Sequence, residues 1–199
     1  MLAIRNAEKK DIPQVLNLLS QVLEIHAVLR PDLFVSGTTK YTGEDLEAIF
    51  QDQNRPVFIA EDEEGQVAGY CFCIMQRVEN NSNMLRDSLS MYIDDICVDE
   101  QFRRRHVGRA LCEHAVAYAR RQGCYDVTLN VWEGNDTARE FYHRMGFDVR
   151  KTVMEKLLYA KERKALRQTA GGLSSCAGPP GSAECTGVKK QYAAGSHRS

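Results

Sequence analysis

Met91-Tyr-Ile-Asp-Asp-Ile-Cys-Val98, followed by Arg103-Arg-Arg-His-Val-Gly-Arg109, is the stretch on which the reading of this chain turns. Its first part is apolar enough for a buried strand, yet it carries Asp94 and Asp95, and two carboxylates are costly to bury there. Strict alternation would put Tyr92, Asp94, Ile96 and Val98 on one face and Ile93, Asp95 and Cys97 on the other. Gln101 to Gly108 is a basic connection, and a helix is expected from Val107 to about Gln122. Its apolar stripe would be Val107, Ala110, Leu111, His114, Ala115 and Tyr118, with Gly123 as terminator. The first N–H groups of such a helix have no intrahelical acceptor, and the dipole favours negative charge there. Arginines around that end suit a pyrophosphate. The cluster alone also fits a solvated basic patch that meets nucleic acid or nuclear-import machinery.

Working outward, the hydrophobic period switches repeatedly between two and 3.6 residues, as mixed α and β proteins require. Leu2 to Arg5 reads as a strand, and Asp11 as the N-cap of a helix running to about Leu29, with Pro13 in its first turn. A second helix begins near Thr42, with Leu46, Ile49 and Phe50 on one side. Val57–Ala60 and Val67–Arg77 make a hairpin around Glu63–Gln66. Residues 78–89 are polar and read as a surface excursion. Beyond the basic connection, Asp126–Val131 is a strand and Asn135 caps a helix with the stripe Ala138, Phe141, Tyr142 and Met145. Gly146-Phe147 then turns into an expected strand pair ending near Tyr159. The pattern predicts a mixed α/β fold, one sheet with helices on both faces.

Composition bounds the rest. The chain has 199 residues, 43% of them apolar and 27% charged, which is ordinary for a globular protein. No uncharged apolar run reaches the roughly 18 residues of a membrane span, and the charged N-terminal stretch from Arg5 to Asp11 does not read as a signal peptide. Seven cysteines, several inside apolar segments, suit free thiols in a reducing compartment, so a cytoplasmic location is expected. The single-residue spacing of Cys71 and Cys73 matches no metal-site pattern, and no metal is expected. Residues 160–199 hold 20 Gly, Ala, Ser or Pro and 7 Lys+Arg against 2 Asp+Glu. They read as a basic, disordered tail beside a compact domain at 1–159 with net charge −6.

A second motif joins the first. Asn135, Ala138, Phe141, Tyr142, Gly146 and Phe147 fit Asn-x-x-Ala-x-x-Phe-Tyr-x-x-x-Gly-Phe. Residues Arg103 to Gly108 approximate Arg/Gln-x-x-Gly-x-Gly/Ala after a strand. With both in register, residues 1 to about 158 resemble the GNAT superfamily of acyl-CoA N-acyltransferases. The resemblance implies a mostly antiparallel twisted sheet with a V-shaped splay between its central strands. It implies acetyl-CoA as co-substrate, held at Arg103, Arg104, Arg105, His106, Val107, Gly108 and Arg109, with Asn135 in the same set. The backbone of Ile96, Cys97 and Val98 would run along the pantetheine arm, one N–H polarising the thioester carbonyl. Asn130, Val131 and Trp132 would line the splay.

The resemblance assigns Tyr142 as the acid that protonates the departing thiolate, a phenol of pKa about 10 serving a thiol of about 8.5. Asp94 falls where diamine-acetylating members carry an acidic residue near the amine. Members that acetylate protein N-termini place a glutamate at the position of Asn130, which cannot accept a proton at neutral pH, so that substrate class is disfavoured. Glu133 and a water relay are lesser bases. The acceptor is expected to be a primary amine on a small molecule or a protein, and the negative domain charge leans toward a cationic one. Acceptor choice would rest on residues 11–50 and the 78–89 excursion. No motif places a cysteine as covalent carrier, and base-stacking aromatics of an RNA module are missing, which counts against nucleic acid. Exchange of the C-terminal strands could join a homodimer. His106 stands where the family carries glycine; it keeps open a second reading, a GNAT-like protein that binds CoA weakly and acts by recognition.

Overall fold

A computed structural model describes residues 2–79 and 86–158. Five strands lie side by side in chain order: β1 (Ala3–Asn6), β2 (Val57–Glu61), β3 (Val67–Val78), β4 (Ser88–Val98) and β5 (Asp126–Leu129). The first four run antiparallel, and β5 pairs parallel with β4. The β2–β3 step needs only a tight turn: Asp62 Oδ1 accepts from the Glu64 and Gln66 amides while Gly65 takes φ 78°. A parallel step needs a crossover, and α3 (Val107–Arg121) supplies it. The expected class, a mixed and mostly antiparallel sheet with helices on both faces, is what forms.

Two apolar layers flank the sheet. α1 (Ile12–Leu29) and α2 (Gly43–Gln51) bury Val15, Leu18, Leu46 and Ile49 against Ile59 and Tyr70 on one face. On the other, α3 and α4 (Asp136–Arg144) bury Leu111, Ala115 and Phe141 against Phe58, Ile93 and Ile96. Thr42 caps α2 by accepting from the Asp45 amide at 3.1 Å. Asp11 stands at the start of α1 but makes no side-chain cap there. Its buried carboxylate instead takes two charge-assisted hydrogen bonds from Arg5, at 2.7 and 2.8 Å, and one from the Glu8 amide at 2.8 Å. Lys9–Leu29, with mean hydropathy 1.3, is long and apolar enough by length and composition to cross a membrane, which the sequence reading did not anticipate. In this fold it serves as a core helix, its apolar face laid on the sheet.

Three expectations need correction. β3 and β4 remain paired out to Val78 and Ser88, so the excursion at 78–89 is shorter than expected, and its middle lies outside the described residues. The alternation of β4 breaks at Asp94: Phe72 faces Asp95 but Cys73 faces Ile93, leaving Asp94 as an extra, bulged residue. Ile93 and Ile96 therefore share the α3 face, while Cys97 and the Asp95 partner Tyr70 belong to the α1 face. Finally, the expected strand pair after Phe147 does not form among the described residues. Val149, Val153 and Met154 point to solvent, and side-chain ion pairs, Arg150–Asp126 at 2.9 Å and Glu155–Arg30 at 3.1 Å, hold that segment in place of a ladder. The tail expectation at 160–199 lies outside the described residues.

Candidate active site

The basic connection folds as a tight turn that leads straight into α3. Arg104 and His106 take left-handed φ of 61° and 62°, the conformation that favours glycine, and His106 is the N-cap of α3 without a side-chain cap bond. The leading N–H groups of α3 are thereby left facing a groove of about 710 Å³. Val98, Arg103, Arg104, His106, Val107, Gly108 and Arg109 all line it. Arg105 does not; its guanidinium lies 5.4 Å over the Phe102 ring and stiffens the turn. Arg109 donates to Glu113 at 2.8 Å and Arg103 sits 3.3 Å from Glu100, whereas Arg104 has no carboxylate partner among the described residues. Two left-handed residues at a helix start, with guanidinium groups beside them, make an electropositive concavity.

Sequence reading missed part of the lining. Glu113, Val116 and Arg120 extend the α3 face that begins at the expected Arg109, and Phe141 and Arg144 of α4 join with Met145 just beyond its end. Helical spacing carried the signal for Arg120; Arg144 needed the α3–α4 packing. Asn135 is not among the lining residues. It caps α4, its Oδ1 accepting from the Ala138 amide at 3.2 Å. Tyr142 is 2% exposed, packed edge-on against Phe141 and Phe147 with ring centroids at 5.0 and 5.7 Å.

Next to the groove the sheet opens. β4 and β5 are paired only from Ser90↔Asp126 to Ile93↔Leu129, while β4 continues to Val98. The bulge at Asp94 falls at the first unpaired step. Beyond it, alternate backbone groups of β4 through Ile96, Cys97 and Val98 face the gap rather than a neighbouring strand. The side chains of Ile96 and Cys97 are committed to opposite cores, so only their backbone is available to the gap. Asn130 donates to the Tyr92 hydroxyl at 3.0 Å across the start of the splay.

The bulge turns two carboxylates toward the α1 side. Lys40 donates from Nζ to Asp94 Oδ2 at 2.8 Å, and the Tyr41 hydroxyl donates to the same oxygen at 3.3 Å. The Tyr70 hydroxyl donates to Asp95 Oδ2 at 3.0 Å, and the buried Oδ1 has no hydrogen-bond partner among the described residues. Burial pushes the Asp95 carboxyl up to about 7, with Lys40 pulling the other way and the Asp94 charge adding to the rise. Burial opposes the charge on Lys40, yet Asp95 and Asp94 together hold it above the ordinary lysine value. His26, buried nearby, is pushed down to about 4 by burial and by the Lys40 charge. Among the described residues no cluster of His, Cys, Asp or Glu is arranged to hold a metal ion.

Known proteins resemble this chain in sequence and in fold. An uncharacterized N-acetyltransferase of Methanocaldococcus jannaschii is 43% identical over 61 residues, 31% of this chain and 27% of that protein, so the chain spans about a quarter of that relative. A mutant BH1408 protein of Bacillus halodurans superposes with TM-score 0.75 at 29% identity, over 78% of this chain and 99% of that one. An aminoglycoside N-acetyltransferase solved in complex with CoA has the same fold, at TM-score 0.61 and 17% identity, over 80% of this chain and 96% of its own. The profile of the Acetyltransferase (GNAT) family matches residues 22–147, which take in the groove, the bulge and both sequence motifs, and the chain belongs to that family.

Proposed function

We propose that this protein transfers an acetyl group from acetyl-CoA to a primary amine by direct attack in a ternary complex. The observation that carries the reading is the junction of two features on one strand. An uncapped helix start ringed by arginines lies where β4 ends, and the sheet opens one bulge earlier, at Asp94. The residues present fit the co-substrate: the α3 amides and Arg104 and Arg109 suit a diphosphate, and the free backbone edge of β4 suits an amide-bearing arm.

In this reading a backbone N–H of β4 after the bulge polarises the thioester carbonyl. Asp94 takes a proton from the incoming ammonium, and the Tyr142 phenol protonates the leaving thiolate. The acceptor is a cationic amine, since it must meet the Asp94 carboxylate. Cys71, Cys73, Cys97 and Cys112 are buried, so none is presented as an acyl carrier, and such free thiols suit the cytoplasm. A panel of amines scored for CoA thiol release tests the proposal. Tyr142→Phe is expected to lower turnover about 10²- to 10⁴-fold with acetyl-CoA affinity nearly intact. Unchanged thiol release in that variant removes Tyr142 from the mechanism.

A further inference from the structure

The irregular segment joining α1 to α2 straps the mouth of the splay. Phe34 packs edge-on against Trp132 at 5.8 Å, and the Arg30 guanidinium lies 5.3 Å over the same ring, so this end holds the chain that follows β5. At the other end Lys40 holds β4 through Asp94. The strap therefore bridges both strands of the splay and delivers a primary ammonium to the bulge carboxylate. Two buried polar atoms there, Asp95 Oδ1 and Trp132 Nε1, have no partner among the described residues. The side chain of Lys40 is 15% exposed, against 76% for Lys9 and 61% for Lys10.

We propose that Lys40 is itself an acceptor amine and takes an acetyl group from acetyl-CoA bound in the same chain. The inference rests on the acetyl-CoA reading above. Its physical basis is position: the Lys40 ammonium sits on the carboxylate where an external amine would have to sit, at the point where β4 and β5 part. The flexible lysine stem lets the nitrogen turn from Asp94 into the gap. The ammonium gives one proton to the Asp94 carboxylate, and the resulting amine attacks the thioester carbon. A C–N bond forms and the C–S bond breaks. The thiolate takes a proton from Tyr142, and the second proton released by the nitrogen restores the phenol. The products are a neutral acetamide on Lys40, free CoA thiol and one proton passed on through Asp94. Loss of the lysine charge removes the cationic partner of Asp94 and leaves the strap held there by the Tyr41 hydroxyl, which opens the site to a cationic acceptor.

The experiment needs no external acceptor. The full chain is incubated with acetyl-CoA, its intact mass followed, and any modified lysine mapped by peptide sequencing. The expected result is one acetyl group per chain, on Lys40, faster than on the exposed Lys9 and Lys10. Lys40→Arg, which keeps the ion pair, should show no such modification. Tyr142→Phe should slow it by the same factor as amine turnover. Equal modification of Lys9 and Lys10 means spontaneous chemistry and overturns the proposal. Acetyl-CoA that binds, by calorimetry on the same sample, while Lys40 stays unmodified overturns it and leaves the proposed function standing. Acetyl-CoA that does not bind overturns both.

Discussion

Replacing Asp95 by Asn should abolish a pH dependence of stability that the wild-type fold carries through this residue. Asp95 is 2% exposed, and burial raises its carboxyl from the ordinary 3.8 to about 7. Between those values the folded chain holds a proton that the unfolded chain has lost, so stability is full below the lower value and falls as pH rises through the upper one. The slope is up to about 1.4 kcal/mol per pH unit, which gives a loss of about 2 to 3 kcal/mol between about pH 5 and about pH 8. Asparagine keeps an oxygen to accept from the Tyr70 hydroxyl and has no charge to bury. Urea unfolding of both proteins across this range, with matching m values, measures the difference. His26 contributes the opposite slope: its value is depressed from 6.5 to about 4, so its contribution is present above about 6.5 and lost as pH falls. That slope is common to both proteins and cancels in the comparison. Asp95→Asn should therefore gain about 2 to 3 kcal/mol on the wild type as pH rises. A difference that stays flat within about 0.5 kcal/mol refutes the assignment of a buried, proton-holding carboxyl.

Two other substitutions probe the backbone around the groove. His106→Gly relieves a left-handed residue at φ 62° and should stabilise the fold by about 0.5 to 1 kcal/mol, raising Tm by about 2 to 4 °C, while His106→Ala should not; calorimetric melting of the two variants checks this. Gly69→Ala would put a Cβ 2.5 Å from the Cys97 carbonyl oxygen, where β3 meets the end of β4. It should cost about 1 to 3 kcal/mol, read by chemical unfolding, and should weaken acetyl-CoA binding by shifting Val98.

Much of this fold was legible because local signals agreed with one another. Thr42, Gly123 and Asn135 mark helix ends that the structure keeps, and the α3 stripe holds at Val107, Leu111 and Ala115, while Gly108, Cys112 and Ala119 are buried and Ala110, His114 and Tyr118 only half-buried. The basic turn was legible as a connection into α3, but its arginines alone fitted a solvated basic patch as well as an anion site, and only the second motif at Asn135 to Phe147 separated the two. The bulge was not. Period-two reasoning assumes an unbroken ladder, and an Asp-Asp pair inside an apolar strand does not say which residue is extra; only the β3 register does. Lys40 was invisible for another reason. Its role comes from a contact 54 residues away, made by an irregular segment whose local sequence carries no periodic signal. The C-terminal strands failed because alternation at Val149 and Val153 states which side chains could share a face, not whether a neighbouring backbone is there to pair with.

Titration calorimetry of acetyl-CoA against the wild type, Arg104→Ala and Arg109→Ala tests the central claim most directly. One molecule should bind per chain, and each charge-assisted hydrogen bond lost should cost at least about 1.5 kcal/mol, roughly tenfold in affinity. No binding by the wild type, or equal affinity in all three proteins, would contradict the groove at the start of α3 as the co-substrate site.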